Sequence, residues 1–296
     1  MLIGEAFALV NAVLWALTGI FIKRAGPGVK TAQIMLAQNW FAALAAVLMA
    51  AITGSFDDAF RMPGWVAGLL AGGAVINAGG QFLFFSALKK GNVGVVYTTT
   101  TGLFIVLSLA ASALFLDDTV SPVALAGAPA IIAGLYVMNV LGGRSADGAR
   151  RTSRRDTLIA LGLGAVTAAV WTIGLLTTAR AVRETDIWSA ALVRNTVPAL
   201  MYMPVVFIFP DLAPWKATAR VRINLAASSF FFVTSFMTFL YSITKISPGL
   251  SALLSSTSPV FALALAAIAL KERLTKVAIA GAALSLAGMA VVLASR

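Results

Sequence analysis

Residues 11–26 read NAVLWALTGIFIKRAG, and residues 167–182 read TAAVWTIGLLTTARAV. The two stretches align at a shift of 156 positions, which places Trp15 opposite Trp171. The alignment continues towards the end of the chain after a two-residue adjustment in one loop, where the shift becomes 154. The sequence is therefore predicted to consist of two related halves.

The composition is that of a protein that lies in a membrane. Of the 296 residues, 60% are hydrophobic and 11% are charged, which is too little charge to cover the surface of a soluble domain. A helix that crosses a bilayer needs about 20 apolar residues, and the sequence holds ten such segments without the alternation of membrane β-strands. The predicted spans are residues 2–22, 32–52, 64–88, 93–116, 123–141, 158–181, 187–209, 223–244, 249–270 and 277–294. The predicted fold class is an all-α integral membrane protein with ten transmembrane helices.

Five spans in each half is an odd number, so the two copies must cross the membrane in opposite directions. The loops agree with this, because the basic group Lys23, Arg24 and Lys30 of the first half corresponds to a mixed acidic and basic loop in the second. We therefore predict two inverted-topology five-helix repeats, residues 1–141 and 157–296, joined by a basic cytoplasmic linker at 142–156. Inverted repeats are typical of secondary transporters, in which the substrate site lies between the copies.

Lysine and arginine are distributed unevenly between the two ends of the predicted spans. Sixteen of the 22 lie at one end and five at the other, with Arg194 inside a span. Because loops rich in these residues stay in the cytoplasm, the richer end is predicted to be cytoplasmic and both termini to lie outside the cytoplasm. The predicted location is the inner (plasma) membrane of a bacterium.

Several classes of function are disfavoured by what the sequence lacks. It has no cysteine and no histidine, which removes thiolate metal sites and the commonest proton shuttle. We therefore predict no catalytic residue, no metal, no cofactor and no enzyme activity, and the lack of a Walker motif argues against ATP as the driving force. The net charge of +11 is explained by basic loops, so no nucleic acid is expected as a partner.

The stretch SSTSPVFALALAAIALKERLTKVAIAGAALSLAGMAVVL at residues 255–293 resembles the closing helix pair of a known transporter family. That family is the EamA-type, ten-span branch of the drug/metabolite transporter superfamily. Its pattern P-V…E-x-L-T…G…G is matched by Pro259, Val260, Glu272, Leu274, Thr275, Gly281 and Gly288. The first half carries a degraded copy, with Leu103-Phe104 in place of the proline and Asp117-Asp118 in place of a Gly-Glu pair. Within the branch, the chain looks most like amino-acid exporters, including those for aromatic amino acids.

Polar side chains within a span are functional candidates, because hydrocarbon does not solvate them. Asn11 and Trp15 share one face of the first span, and Trp171 lies at the equivalent depth of the sixth. An indole offers a flat apolar wall and one N–H donor, which suits a planar substrate. Both tryptophans lie near the middle of their spans, so we favour a cavity wall over an anchor at the membrane interface.

Other candidates come from the second, third, fourth, seventh and ninth spans. Asn77 and Gln81 could contact an uncharged or zwitterionic ligand or could join helices. The hydroxyl runs 97–101 and 255–258 occupy matching positions and indicate broken or bent helices beside the site, with Tyr97 and Ser258 as candidate contacts. Asn39 and Asn195 are repeat mates, for which a bridge between helices is slightly favoured over a cavity position.

Arg194 is the one cation inside a span, where it could hold a substrate carboxylate, extend towards the membrane surface or pair with Glu184 or Asp186. Glu5 is the acidic residue farthest from a loop, at the outer end of the first span. Without a histidine or a carboxylate at mid-membrane, we expect movement down a gradient or coupling through a weak site such as Glu5.

These observations predict a secondary transporter that exports small neutral or zwitterionic metabolites, including aromatic amino acids, by alternating access. The predicted substrate-binding residues are Asn11, Trp15, Asn77, Gln81, Tyr97, Trp171, Ser258 and Arg194. The alternative is a multidrug or organic-cation efflux carrier, or another metabolite carrier of the same superfamily. The expected partners are a small-molecule substrate and the lipid bilayer, and one copy of the chain is expected to suffice.

Overall fold

The computed structural model describes residues 3–26, 28–90, 93–119, 121–142, 153–269 and 274–294. Arg144, Arg150 and Arg151 of the predicted linker and Glu272 of the family pattern lie outside the described residues. Helices make up almost all of the described chain. They are α1 (Ile3–Ala25), α2 (Thr31–Thr53), α3 (Phe56–Arg61), α4 (Gly64–Lys90), α5 (Val93–Phe115), α6 (Pro122–Tyr136), α7 (Arg154–Ala181), α8 (Ile187–Ile208), α9 (Ala219–Ile243), α10 (Pro248–Ser255), α11 (Ser258–Ala269) and α12 (Lys276–Ala294).

The predicted spans are found as helices, and the fold class is confirmed. Within the described residues, nine helical segments are long and apolar enough to cross a membrane. The fifth predicted span is shorter as an α-helix, because α6 ends at Tyr136 and a π-helix at Val137–Leu141 completes it. The sixth span begins earlier than predicted, at Arg154, because the Ser153 hydroxyl accepts a hydrogen bond from the Asp156 N–H at 3.0 Å and caps α7.

The ninth predicted span is broken into α10 and α11, as the run of hydroxyl residues indicated. Pro259 has no N–H and cannot donate to the carbonyl of Ser255, so the α-helical bond is lost there. The Thr257 hydroxyl donates to the carbonyl of Leu254 at 2.6 Å across the turn at Ser256-Thr257. The matching run at 97–101 remains within the continuous helix α5, so of the two predicted forms, broken or bent, the broken one is not found there. The first half has no proline at the equivalent position.

The helices pair in a pattern that is unchanged when the two repeats are exchanged. The first span of each repeat packs on the third span of the other, which gives the pairs α1–α9 and α7–α4. The second spans, α2 and α8, pack on each other, and so do the fifth spans, α6 and α12. Such a pairing is expected of two repeats that are related by a pseudo-two-fold axis. Because each repeat crosses the membrane five times, an odd number, the two copies are inverted.

Small side chains allow the paired helices to approach closely. Ala8, Ala12 and Ala16 are buried along one face of α1, and Ser235 and Ser242 are buried on the facing side of α9. The Ser242 hydroxyl donates to the carbonyl of Gly4 at 2.8 Å, directly across this contact. Within lipid, packing and hydrogen bonds of this kind hold helices together, because the hydrophobic effect does not favour one apolar neighbour over another.

The two ends of the bundle differ in charge. One end, called the basic face below, carries most of the described lysines and arginines outside the spans. Its residues are Lys23, Arg24, Lys30, Lys90, Arg154, Arg155, Lys216, Arg220, Arg222 and Lys276. The other end, called the opposite face, carries Asp57, Asp58, Asp118, Glu184 and Asp186.

Candidate functional site

A cavity of about 250 Å³ lies between the two repeats, a volume near the lower limit of small-molecule sites. The eight residues that the sequence singled out come from α1, α4, α5, α7, α8 and α11, and all of them line this central cavity. They are Asn11, Trp15, Asn77, Gln81, Tyr97, Trp171, Arg194 and Ser258. Whether they contact a substrate stays a prediction.

Aromatic residues from both repeats line the cavity. The ring of Phe84 lies with its centroid 5.2 Å from that of Trp171 and 5.4 Å from that of Tyr97. Phe104 meets Trp171 edge to face at 6.1 Å. In the part of the wall formed by α1 and α9, the ring centroid of Trp15 lies 5.9 Å from that of Phe232. These distances are typical of stabilising aromatic pairs, so the rings form a fixed apolar wall on both sides.

Glycines create the room for two of the candidate side chains. A Cβ atom at Gly174 of α7 would lie 2.7 Å from the Asn77 side chain, so only glycine lets Asn77 reach its position. A Cβ atom at Gly80 would likewise clash with the Trp171 side chain, so glycine at this position makes room for the indole. The close α4–α7 contact is therefore what sets the depth of these two cavity residues.

The amide side chains of the cavity differ in how far their hydrogen-bonding groups are already used by other protein groups. The Asn11 amide nitrogen donates to the Ser235 carbonyl at 2.7 Å and to the Ser235 hydroxyl at 2.8 Å, so it joins α1 to α9. Gln81 donates to the Gln38 side-chain oxygen at 3.3 Å. The expected bridge between Asn39 and Asn195 is not formed, because Asn39 donates to Met35 of its own helix at 2.7 Å. Both asparagines line the cavity instead.

Arg194 and Asn195 carry buried donors that no protein group satisfies. Arg194 Nη1 and Asn195 Nδ2 are both buried without a hydrogen-bond partner. The Arg194 guanidinium lies 4.9 Å from the ring centroid of Phe236, a cation–π contact. Arg194 is therefore not paired with Glu184 or Asp186, because Glu184 pairs with Arg180 at 3.1 Å and Asp186 caps α8.

A second cavity of about 590 Å³ continues the first towards the basic face. Six side chains line both cavities and separate them: Trp15, Gln81, Phe84, Tyr97, Trp171 and Ser258. Tyr97 is placed so that its hydroxyl meets the side chains of Trp15 and Ser258. The second cavity extends to Lys23, Gly142 and Thr275, which lie at helix ends on the basic face. A path from that face to the central cavity therefore passes between Trp15 and Trp171.

The opposite face is closed by contacts between the repeats. The Gly249 N–H at the start of α10 donates to the Ser112 hydroxyl of α5 at 3.3 Å, and Ser112 also bonds Asp118. Arg183 pairs with Asp118 at 3.3 Å and donates to the carbonyl of Leu116 at 3.2 Å. The described structure is thus open towards the basic face and closed at the other end.

Sequence reasoning missed several cavity residues. Phe232, Phe236 and Phe239 of α9 line the central cavity, and Gln38 and Asn139 line the second. A phenylalanine in an apolar span gives no sign of whether it faces lipid or a cavity. Gln38 could have been found, because a buried amide in a span is a candidate by the same rule that selected Gln81. Asn139 lies in the π-helix, which has no sequence signal comparable to a proline.

Two inverted bundles of five helices around a cavity that is open at one end define a multi-pass membrane carrier. The model of the EamA-like transporter family matches residues 2–140 and again residues 158–294. The chain therefore belongs to the EamA-like transporter family, a family of secondary transporters and not of enzymes.

Two further comparisons bear on the fold and the substrate. A crystal structure of another protein is similar over 97% of this chain and 95% of its own, with a TM-score of 0.79 and 20% sequence identity. At that identity the likeness supports the fold alone. No curated protein matches the sequence significantly, so the substrate must be argued from the cavity.

Proposed function

We propose that this carrier exports small zwitterionic metabolites, with aromatic amino acids among its substrates. The observation that carries the proposal is the composition of the central cavity: aromatic rings from both repeats, several side-chain amides, and Arg194 as the charged side chain among its described lining residues. A ring of the substrate would stack against Trp15 or Trp171, and its carboxylate would face the guanidinium.

Charge favours this class of substrate over organic cations. Among the described residues that line the two cavities, the charged side chains are Arg194 and Lys23, and none is acidic. A cation would therefore meet repulsion without a counter-charge. Glu5, the acidic residue that a cation carrier could use, is buried near the opposite face and does not line either cavity.

The direction of transport follows from the proposed orientation. If the basic face is cytoplasmic, as the excess of lysine and arginine favours, the described conformation accepts substrate from the cytoplasm. Closing the path between Trp15 and Trp171 and parting α5 from α10 would then release substrate outside. Since each repeat contributes one tryptophan to this path, one copy of the chain holds a complete route.

The decisive experiment removes both indoles. We expect the variant with Trp15→Ala and Trp171→Ala to lose export of aromatic amino acids, because the two stacking walls are gone while the helix contacts remain. Uptake of labelled phenylalanine and tryptophan into inside-out vesicles, with and without a pH gradient, measures this directly.

The matched control is Trp65→Ala, which removes an indole that is half exposed at the start of α4 and lies outside both cavities. It should transport as the wild type does. Unchanged transport by the double variant, with normal amounts of folded protein, would contradict the stacking role and the proposal with it.

A further inference from the structure

The segment of α8 from Arg194 to Pro198 carries three polar groups that lack a usual hydrogen-bond partner, on residues that line the central cavity. Two are the side-chain donors Arg194 Nη1 and Asn195 Nδ2, which are buried and have no partner. The third follows from the backbone. Pro198 has no N–H, so the α-helical bond to the carbonyl of Arg194 cannot form.

That carbonyl belongs to the cavity wall. In an α-helix the carbonyl of residue i points towards residue i+4, and both residues lie on the same face. Arg194 and Pro198 both line the cavity, so the released carbonyl lies between two cavity-lining positions. It is an acceptor, whereas the two side-chain groups beside it are donors.

Leaving these groups unsatisfied is costly. Hydrocarbon does not solvate a guanidinium, so placing one within a membrane span is unfavourable, and the ring of Phe236 offsets only part of this cost. Asn195 adds a second buried donor next to it in sequence. An ordinary packing role would use apolar side chains here, so the arrangement points to a ligand that supplies an acceptor and a donor together.

We infer that this segment is a clamp for the amino-acid end of the substrate and binds the carboxylate and the ammonium at the same time. The carboxylate accepts from Arg194 Nη1 and Asn195 Nδ2, and the ammonium donates to the Arg194 carbonyl that Pro198 releases. The inference rests on the proposed function and narrows it: the α-carboxylate and α-ammonium are the common determinant, and the aromatic walls select among side chains.

The test compares four probes on purified protein: phenylalanine, 3-phenylpropionate without the amine, phenethylamine without the carboxylate, and leucine without the ring. Calorimetry gives the dissociation constants. The wild type should bind phenylalanine most tightly and phenethylamine most weakly. Arg194→Gln should weaken the binding of phenylalanine, leucine and 3-phenylpropionate about tenfold or more, because each loses a charge-assisted hydrogen bond. It should not weaken the binding of phenethylamine, because the variant removes the positive charge that repels this cation.

Pro198→Ala isolates the backbone acceptor. The alanine restores an N–H that occupies the Arg194 carbonyl, so phenylalanine and leucine should bind about threefold to tenfold more weakly while 3-phenylpropionate is unchanged. Pro204→Ala, six residues further along α8 and exposed outside the cavity, is the matched control and should change the affinity for none of the four probes. Arg194→Gln removes an unpaired buried charge, and Pro198→Ala removes a helix defect. Neither variant should therefore lower the melting temperature.

The outcomes separate the clamp from the proposed function. If phenylalanine binds but Arg194→Gln leaves its affinity unchanged, the clamp is wrong and the aromatic cavity stands. If leucine binds in an Arg194-dependent way and phenylalanine does not, the clamp stands and the aromatic selectivity is wrong. Equal binding of phenethylamine and phenylalanine to the wild type, or binding of none of the four probes, overturns the clamp.

Discussion

Gly80 lies directly beneath the indole of Trp171. A Cβ atom at position 80 would be 2.8 Å from Trp171 Cδ1 and 2.8 Å from Val170 Cγ1. Both distances are shorter than real Cβ contacts, and the neighbouring atoms belong to a ring and a β-branched side chain that cannot easily turn away. The adjacent Gly79 is different, because nothing lies within 4 Å of a Cβ atom there.

We therefore expect Gly80→Ala to displace Trp171 from the cavity wall and to cost about 1–3 kcal/mol of stability through overpacking. Transport of aromatic amino acids should fall with it. Gly79→Ala should leave transport unchanged and should be neutral or stabilising by about 0.5–1 kcal/mol, since alanine is the better helix former. Melting curves in detergent and vesicle transport for the two variants measure the difference. Equal melting temperatures and equal transport for Gly80→Ala and Gly79→Ala would contradict the inference that Gly80 fixes the position of Trp171.

Individual cavity residues could be chosen from the sequence only where chemistry is unusual for a span. Trp15, Trp171 and Arg194 stand out in this way, and all three line the central cavity. Asn11 stands out equally, yet its amide nitrogen is used by Ser235. The sequence cannot separate these cases, because the partner lies on another helix, 224 positions away.

Helix α8 carries Arg194, and its first turn is fixed by Asp186. One carboxylate oxygen of Asp186 accepts from the N–H of Trp188 at 2.8 Å and from that of Ser189 at 3.0 Å. Burial alone would raise the pKa of this carboxyl, but hydrogen bonds from Ser189 and from these backbone groups outweigh burial and hold the pKa below its ordinary value. The ionised cap therefore stabilises the folded state.

Asp186→Ala should lower stability by about 1 kcal/mol, the usual cost of losing an N-cap. Because the folded pKa is depressed, this contribution is complete above the pKa of the unfolded chain, about 4, and is lost as the pH falls through the lower folded value. The difference in melting temperature between wild type and variant should therefore be full at neutral pH and shrink in acid. Asp57→Ala, which removes an exposed carboxylate from α3, should show no comparable difference. A difference for Asp186→Ala that does not change with pH would contradict the charged cap.

Breaks in the helices were predictable to the extent that proline causes them. Pro259 with its neighbouring hydroxyls indicated the turn between α10 and α11, whereas the hydroxyl run of α5 lacks a proline and stays helical. The π-helix at Val137–Leu141 was not foreseen. It packs against α12 so closely that a Cβ atom at Gly281 would clash with the backbone nitrogen of Met138. Contacts of this kind are set by tertiary structure and not by local sequence.

The overall architecture was the most predictable part of the structure, because several independent features of the sequence indicate it. Apolar segments define the spans, the shift of 156 defines the repeat, and an odd number of spans makes the copies inverted. The helix pairing and the two matches of the family model agree with this arrangement. The orientation in the membrane rests on charge alone, so it stays a prediction.

The loop between the second and third spans of each repeat provides the sharpest test, because equivalent positions should lie on opposite sides of the membrane. Asp58 on α3 and Thr218 before α9 are both exposed and occupy these loops. The chain contains no cysteine, so Asp58→Cys and Thr218→Cys each give a single label site without further changes. In intact cells, we expect a membrane-impermeant maleimide to label Asp58→Cys, and to label Thr218→Cys only after the cells are opened. Labelling of both from one side would rule out inverted repeats. The reverse pattern would keep the inversion but place the basic face outside, and the cavity that opens there would then accept substrate from outside the cell, which argues for uptake instead of export.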